Sequence, residues 1–244
     1  MALPLSRRAA LVALGSTVLL GSCTIASDGK NTPNSASASE GALKTVTPGK
    51  LTIATGEPAY SPWVENNDPA SGKGFEAAVA YAVAGKLGFA NADVVWVRST
   101  FDAAVAPGAK DWDFNLQQFS ITEERRNAVD FSSPYYTTAQ AVVTLKGSPV
   151  SGATTVAELK GALLGAQTGT TSHRMLTETV APTTAPSVFN NSQDTVQALK
   201  GGQVDAIVVD LPTALYLVAA ELDGGVVVGQ FADTSGGDQF GLVL

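Results

Sequence analysis

The amino-acid sequence predicts an α/β fold with mainly parallel β-sheets. From Leu51 onward, apolar stretches of strand length alternate with helical patterns, which is the order typical of parallel β-α-β units. The chain has 244 residues, 45% of them hydrophobic, so it can bury the core of one or two domains. Its 24 glycines and 12 prolines indicate many loops and argue against a coiled coil or a fibre.

The composition excludes several classes of function. Lys and Arg number 15 against 22 Asp and Glu, so the net charge of -7 provides no basic surface for nucleic acid. One cysteine and one histidine exclude a disulfide framework, a cysteine-based zinc site and a multi-histidine metal centre, so neither a metal nor another cofactor is expected. A mean hydropathy of +0.14 excludes a polytopic membrane protein.

The first 23 residues are predicted to be a lipoprotein export signal. Two arginines precede an apolar run over residues 9–20, and Cys23 ends the lipobox-like sequence LGSC. The Cys23 thiol is therefore expected to carry a lipid that anchors the chain to the membrane. The alternative is an unmodified cysteine after an ordinary signal peptide. Residues 24–49 are rich in Ser, Thr, Asn and Gly, which predicts a flexible tether.

Periodicity then places the elements in order along the chain. Short apolar runs bounded by Gly, Pro or polar residues predict strands at 51–54, 94–97, 112–116, 139–145, 162–166 and 206–209. Helical spacing predicts helices at 75–87, 101–105, 120–127, 154–160, 171–178, 194–200 and 212–222. The helix at 75–87 has an apolar face, Pro107 and Gly108 end the helix at 101–105, and Pro212 suits the first turn of the last helix.

The sequence SITEERR, residues 120–126, follows a predicted strand and opens a helix. Ser120 with Glu123 fits a capping box, and Thr122 fits the N-cap equally well. Backbone N–H groups of a first helical turn attract anions, and Arg125 can grip a carboxylate with both arms of its guanidinium. A solvated helix start with a surface arginine remains the alternative.

The sequence QTGTTS, residues 167–172, is a second helix start after a strand. Gly169 allows close backbone approach, and Thr170 and Thr171 supply hydroxyl and N–H groups to an anion. It lacks the lysine of a nucleotide-binding loop, so a nucleotide is not expected. Ordinary N-capping is the alternative.

Three further residues are candidates for a ligand pocket. Asp210 ends a predicted strand, where it can meet an ammonium group, although it can also cap the next helix. Tyr60 and Trp63 lie in a loop stiffened by two prolines and can wall a pocket or cover the core.

Arrangements that could support catalysis are scarce. His173 is the only histidine, no G-x-S-x-G sequence offers a serine nucleophile, and no metal-ligand spacing occurs. No catalytic residue is therefore expected.

An ordered series of segments resembles one protein family. The segments are TGEPAYSPW, GFE, WDFNLQQFSITEERR, VDFSSPYY, GAQTGTTS and QVDAIVVD. Together they resemble the extracytoplasmic solute-binding proteins of ABC importers, in the polar amino-acid group called family 3. The resemblance covers the chain from Leu51 to Leu244.

The resemblance implies a hinge-linked, two-lobed fold of the periplasmic-binding-protein type II. One lobe would comprise residues 51–145 plus 233–244, and the other residues 146–232. The expected partners are a polar amino acid, a membrane permease and its ATPase. The protein would be a monomer on the extracytoplasmic face of the membrane, anchored through Cys23, without nucleic acid.

The resemblance also implies roles for individual residues. Arg125 would bind the ligand α-carboxylate, assisted by Ser120, Gly169, Thr170 and Thr171. Asp210 would bind the α-ammonium group together with a main-chain or polar group at Gln118. Tyr60 and Phe101 would wall the pocket, and Glu57 would contact a basic side chain, as in some family members.

The sequence departs from the family pattern in two places. Gln117 and Gln118 stand where Ser or Gly is common, so an amide or acidic ligand is as compatible as the basic ligand that Glu57 suggests. The chain also ends at residues 240–244, in a predicted strand, where family members continue into a helical tail. We therefore expect a truncated C-terminus.

Two other functions occur on the same fold. A sensory ligand-binding module is one, and a cyclohexadienyl-dehydratase-like enzyme, with Glu57 as its acid or base, is the other.

Overall fold

The computed structural model describes residues 43–232 and 237–244. The strands are β1 (Leu51–Gly56), β2 (Val94–Ser99), β3 (Phe114–Leu116), β4 (Tyr136–Thr138), β5 (Gln140–Leu145), β6 (Leu164–Gln167), β7 (Ser187–Phe189), β8 (Ala206–Asp210), β9 (Gly225–Gln230) and β10 (Asp238–Phe240). The α-helices are α1 (Phe75–Lys86), α2 (Phe101–Val105), α3 (Glu123–Arg126), α4 (Val156–Leu159), α5 (Thr171–Arg174), α6 (Ser192–Lys200) and α7 (Leu211–Tyr216). Wider π-helical turns extend α5 over Met175–Val180 and α7 over Leu217–Glu221.

The first lobe is built on a three-stranded parallel sheet in the order β2-β1-β3. All residues of β1 are buried, because strands flank both of its edges and side chains cover both of its faces. Ala80 and Ala84 of α1 pack in one core cluster with Leu51 and Ile53 of β1. Their small side chains let the helix lie close to the sheet, which holds the C-terminal end of β1 rigidly beside the site described below.

The second lobe is built on a five-stranded sheet in the order β7-β6-β8-β5-β9. β6, β7 and β8 are parallel, whereas β5 runs antiparallel to both β8 and β9. Val142 and Val208 belong to one core cluster, and Val143 and Ile207 belong to another. Successive side chains of a strand point to opposite faces, so the lobe has a core on each side of its sheet.

A two-stranded antiparallel ladder of β4 and β10 joins the lobes. β4 leads from the first lobe into β5 of the second, and after β10 the chain returns Leu242 and Val243 to the first lobe's core clusters. Phe240 of β10 lies 5.6 Å from Trp63 and 5.9 Å from Tyr136 between ring centroids, so aromatic packing surrounds the ladder. The fold is the two-lobed α/β architecture expected from the sequence.

Each predicted strand and helix overlaps an observed element, but three strands were not predicted. β4 and β7 have three residues each, too few for a period to be read. The strand expected at residues 240–244 lies earlier, as β10, and Val243 after it makes isolated bridges to Asn115 and Phe131. β9 has the sequence GVVVGQ, whose apolar residues do not alternate with polar ones. The expectation of mainly parallel sheets is wrong for β5, which has two antiparallel neighbours.

Two boundaries also differ from the sequence-based division of the chain. Residues 140–145 pair within the second sheet, so we would place the end of the first lobe before β5 rather than at residue 145. The last part of the expected tether lies against the first lobe, because Asp113 accepts hydrogen bonds from the backbone N–H groups of Val46 and Thr52. The export signal, Cys23 and residues 24–42 lie outside the described residues. Among those that are described, no helix is both long enough and apolar enough to cross a membrane.

Candidate functional site

A cavity of about 220 Å³ lies between the two lobes. The first lobe contributes the end of β1, the loop after it, α2 and the segment around β3, and the second lobe contributes the starts of α5, α6 and α7. The cavity is lined by eleven predicted ligand-binding residues: Glu57, Tyr60, Trp63, Phe101, Gln117, Gln118, Ser120, Arg125, Thr170, Thr171 and Asp210. Its volume is below the 300 to 1,000 Å³ common for drug-sized ligands, so it suits a small solute.

Arg125 is held in place by the first lobe and reaches the second. Thr122 caps α3 by accepting a hydrogen bond from the Arg125 N–H, which fixes the backbone of Arg125. The guanidinium donates through Nη1 to the Ser120 carbonyl at 2.7 Å and packs over the Phe101 ring at 5.1 Å. It makes no ion pair with any carboxylate of residues 43–232 and 237–244. Burial lowers the pKa of Arg125.

Gly169 is the one predicted site residue that does not line the cavity. Its φ of +69° belongs to the left-handed region that glycine adopts easily. Its carbonyl accepts a hydrogen bond from Arg125 Nη2 at 2.9 Å. The Gly169 carbonyl thus supports Arg125 of the other lobe, and a contact between Gly169 and the ligand stays a prediction.

Asp210 is positioned at the end of β8 and at the N-cap of α7. Its side chain makes no capping hydrogen bond, so the capping alternative is wrong for the side chain. Oδ1 instead accepts a hydrogen bond from Gln140 Nε2 at 2.7 Å, and the same amide donates to Asp238 Oδ2 at 2.6 Å. Burial, reinforced by the negative charge of Asp238, raises the pKa of Asp210 to about 7.

Glu76 of α1 is a buried carboxylate at the cavity wall that the sequence analysis did not select. It accepts hydrogen bonds from the Gln118 backbone N–H at 2.8 Å, from the Gln118 amide and from the Tyr135 hydroxyl. Burial raises its pKa to about 7. Gln118 therefore lines the cavity with its side chain already bound to Glu76. The sequence feature that could have identified Glu76 is the presence of a charged residue in the otherwise largely apolar helix α1.

Two aromatic side chains of the first lobe form hydrogen bonds with the second. Trp63 is buried and donates through Nε1 to Thr213 Oγ1 at 2.9 Å. The Tyr60 hydroxyl donates to Asn191 Oδ1 at 3.4 Å and accepts from the Gln193 N–H at 3.3 Å. Both rings thus wall the cavity, and Trp63 also covers the core, so its two proposed roles occur together.

The hydroxyl groups of the second helix start divide into two roles. Thr170 is the N-cap of α5, where its Oγ1 accepts from the His173 N–H and donates to the Gln167 carbonyl. Thr171 Oγ1 lies 3.2 Å from Ser120 Oγ, across the two lobes, and accepts from Gln140 Nε2 at 3.3 Å. Of the two threonines, Thr171 is therefore the one whose hydroxyl lies beside Ser120, the residue whose carbonyl binds Arg125.

The side chains of Glu57 and Gln117 complete the first lobe's wall. Glu57 is 56% exposed and lies 3.7 Å from Arg98 Nε. Gln117 donates through Nε2 to the Ser99 carbonyl and to Asn115 Oδ1. Further cavity residues that the sequence analysis missed are Gln167, Asn190, Asn191, Ser192, Thr195 and Thr213.

The described residues contain no group of three or more His, Cys, Asp or Glu side chains that could hold a metal ion. His173 lies in α5 but does not line the cavity. The cavity has an arginine and an aspartate on different lobes, which can recognise a ligand by charge and hydrogen bonding.

Comparisons with known proteins agree with this geometry. The family model described as "bacterial extracellular solute-binding proteins, family 3" matches residues 51–208. A probable histidine-binding protein of Campylobacter jejuni is 31% identical over 216 residues, which are 86% of this chain and 77% of that protein.

Two solved structures extend the comparison to the fold. An ancestral arginine-binding protein bound to glutamine is 32% identical, with a TM-score of 0.67 over 81% of this chain and 84% of that chain. An ancestral amino acid-binding protein, described as a precursor of cyclohexadienyl dehydratase, is 27% identical, with a TM-score of 0.67 over 80% of this chain and 82% of that chain. This chain belongs to the bacterial extracellular solute-binding proteins of family 3.

Proposed function

We propose that this protein captures a polar amino acid outside the cell membrane and delivers it to an ABC permease. The observation that carries the proposal is the pairing of Arg125 and Asp210, which line one cavity from different lobes. A zwitterion brings a carboxylate and an ammonium group, so it can neutralise both buried charges at once. Among the described residues neither charge has an oppositely charged partner, although each has hydrogen bonds to neutral groups, and an uncompensated charge in a partly desolvated site is costly.

Arg125 is the proposed partner of the α-carboxylate. Two of its five N–H donors are used by the Ser120 and Gly169 carbonyls, which fix the plane of the guanidinium. The remaining donors can bind a carboxylate in the two-armed geometry that arginine favours. The Ser120 and Thr171 hydroxyls, 3.2 Å apart, would supply further donors to the same carboxylate.

Asp210 is the proposed partner of the α-ammonium group. Its carboxyl has a pKa of about 7, and a cation bound beside it would favour the ionised form. Gln140 holds the carboxylate in place without neutralising it.

Ligand binding would also draw the lobes together. Because Arg125 and Asp210 belong to different lobes, a ligand held by both stabilises the closed arrangement more than the open one. We propose that a permease with its ATPase receives the closed monomer, and that Cys23 carries the lipid that keeps the protein at the membrane. Localisation outside the cytoplasm agrees with the family.

An enzyme is the second candidate function, because two carboxyl groups with a pKa of about 7 line the cavity. A pKa near neutrality is what a general acid or base requires. Glu57, the acid named from the sequence, is exposed and lies beside Arg98, and it is less suited to that task. Incubation with prephenate or arogenate tests this candidate, and a released product would favour it over capture.

Calorimetry on the full chain, purified in detergent, tests the capture function. The twenty amino acids are titrated first, followed by the α-keto acid and the decarboxylated amine that correspond to the tightest binder. We expect one or more amino acids to bind, and both analogues to bind at least ~10-fold more weakly, since each lacks one charge of the zwitterion. An analogue that binds as tightly as its amino acid would contradict the proposed pairing.

A further inference from the structure

The polar side chains of the cavity fall into separate hydrogen-bonded groups. One group contains Arg125 and Asp210, linked through Ser120, Thr171 and Gln140. On the proposed function, this group holds the ligand's carboxylate and ammonium groups. The ligand side chain would then meet the polar groups that remain, on the walls formed by the segment after β3 and by the starts of α5 and α6.

The remaining parts of the cavity wall have few charged side chains that are available to bind a ligand side chain. Apart from Arg125 and Asp210, the acidic or basic residues that line the cavity are Glu57 and Glu76. Glu76 is buried and already accepts three hydrogen bonds. Glu57 faces Arg98, whose guanidinium also donates to the Gly56 carbonyl at 2.8 Å. A cationic side chain bound to Glu57 would lie near Arg98, and an anionic side chain would find no cation on the cavity wall other than Arg125, which is assigned to the α-carboxylate.

Gln117 offers a free acceptor with a fixed orientation. Its Nε2 donates to the Ser99 carbonyl at 3.2 Å and to Asn115 Oδ1 at 3.1 Å. The Ser99 carbonyl can only accept hydrogen bonds, so the amide nitrogen must face it. Within the part of the chain that the structure describes, Gln117 Oε1 receives no hydrogen bond. A ligand N–H group in the cavity can therefore donate to it.

Gln167, across the cavity in the second lobe, offers the complementary group. Its Oε1 accepts a hydrogen bond from Ser192 Oγ at 2.9 Å. Its Nε2 has no acceptor among residues 43–232 and 237–244, so it remains available as a donor. Gln117 Oε1 and Gln167 Nε2 thus offer an acceptor and a donor on different lobes, beside the free Gln118 Oε1 and the exposed Asn190 amide among the described cavity residues.

We propose that the captured amino acid has an uncharged side chain ending in a carboxamide, as in glutamine or asparagine, and that Gln117 selects it. A carboxamide has an NH₂ group for Gln117 Oε1 and a carbonyl for Gln167 Nε2. This inference rests on the proposed function and names its substrate class. The cavity volume of about 220 Å³ agrees with a single amino acid.

Titration of the full chain in detergent with glutamine, asparagine, glutamate, arginine and methionine tests the inference. We expect glutamine or asparagine to bind at least ~10-fold tighter than the other three, because a site built for an amide rejects side chains that lack it. If arginine, glutamate or methionine binds as tightly, the carboxamide inference is wrong while amino-acid capture stands. If no amino acid binds to the folded chain, the proposed function fails as well.

The Gln117→Met substitution tests the selecting residue. It keeps the length of the side chain and removes the acceptor, so the ratio of the methionine Kd to the glutamine Kd should fall at least ~10-fold. Gln197→Met is the matched control, because Gln197 is exposed on α6 and does not line the cavity. An unchanged ratio in a folded Gln117→Met variant would overturn the role of Gln117. If that variant does not fold, the ligand series on the unaltered chain decides the inference.

Discussion

Replacement of Arg125 by alanine provides the most direct test of how the cavity holds its ligand. The change removes the guanidinium that donates to the Ser120 and Gly169 carbonyls and packs over the Phe101 ring. A ligand carboxylate would then enter the cavity without a cation. Truncation of one partner in a buried, hydrogen-bonded charge pair costs about 2–5 kcal/mol of binding free energy, so we expect affinity to fall by a factor of roughly 30 to 5,000.

The affinity of Arg125→Lys for the amino acid should lie between that of the unaltered protein and that of Arg125→Ala. Lysine keeps the positive charge but cannot bind both carboxylate oxygens with a planar fork. Arg126→Ala is the matched control, because Arg126 is exposed and its guanidinium lies 5.9 Å from the Phe131 ring, away from the cavity. Its effect on affinity should stay within about 0.5 kcal/mol, as for other surface changes.

Calorimetry can measure how much of the binding free energy depends on the ligand carboxylate. Each of the three variants is titrated with the tightest-binding amino acid and with its decarboxylated amine. In the unaltered protein the amine should bind more weakly than the amino acid. In Arg125→Ala the two ligands should bind almost equally, because the group that distinguishes them has gone. A folded Arg125→Ala variant that keeps the unaltered protein's affinity, or its preference over the amine, would refute the carboxylate assignment.

Two further predictions concern the buried carboxyl groups. Because the ammonium group binds ionised Asp210, whose pKa is about 7, affinity should rise between about pH 5.5 and 7.5 and then level off. A flat calorimetric profile over that range would count against the assignment, and Asp210→Asn should weaken amino acids without weakening their des-amino analogues. Burial raises the pKa of Glu76 from 4.5 to about 7, so the folded state holds its proton more tightly than the unfolded state does. The free energy of unfolding should therefore drop by about 3 kcal/mol from this group as pH rises from 4.5 to 7, and urea titrations of Glu76→Gln should lack that drop.

Some cavity residues could be predicted from the sequence, because their residue type and their position beside a strand end both indicate a ligand site. Arg125 and Asp210 each follow a strand, and the ends of strands in α/β sheets converge on ligand sites. Their membership of one cavity is consistent with that reasoning. Tyr60 and Trp63 were recognisable as two aromatic residues in a loop that also contains two prolines.

The residues that could not be identified depend on distant partners. Glu76 is a cavity residue because Tyr135 and Gln118, far along the chain, supply its hydrogen bonds. Gln140 joins Asp210 to Asp238 only after β5, β8 and β10 have come together. The hydrogen bond from Arg125 to the Gly169 carbonyl could not be predicted, because local sequence does not specify which backbone atom of a glycine faces the site.

The hydrogen bonds between Trp63 and Thr213 and between Tyr60 and Asn191 join the lobes without passing through the solute. They contribute the same free energy to closure whichever molecule occupies the cavity. Such contacts rescale every affinity by a common factor, as a shift in a pre-existing equilibrium does. Loss of the Trp63–Thr213 hydrogen bond would therefore lower the affinity for every ligand by a common factor, so the strength of binding depends in part on contacts that do not distinguish one ligand from another.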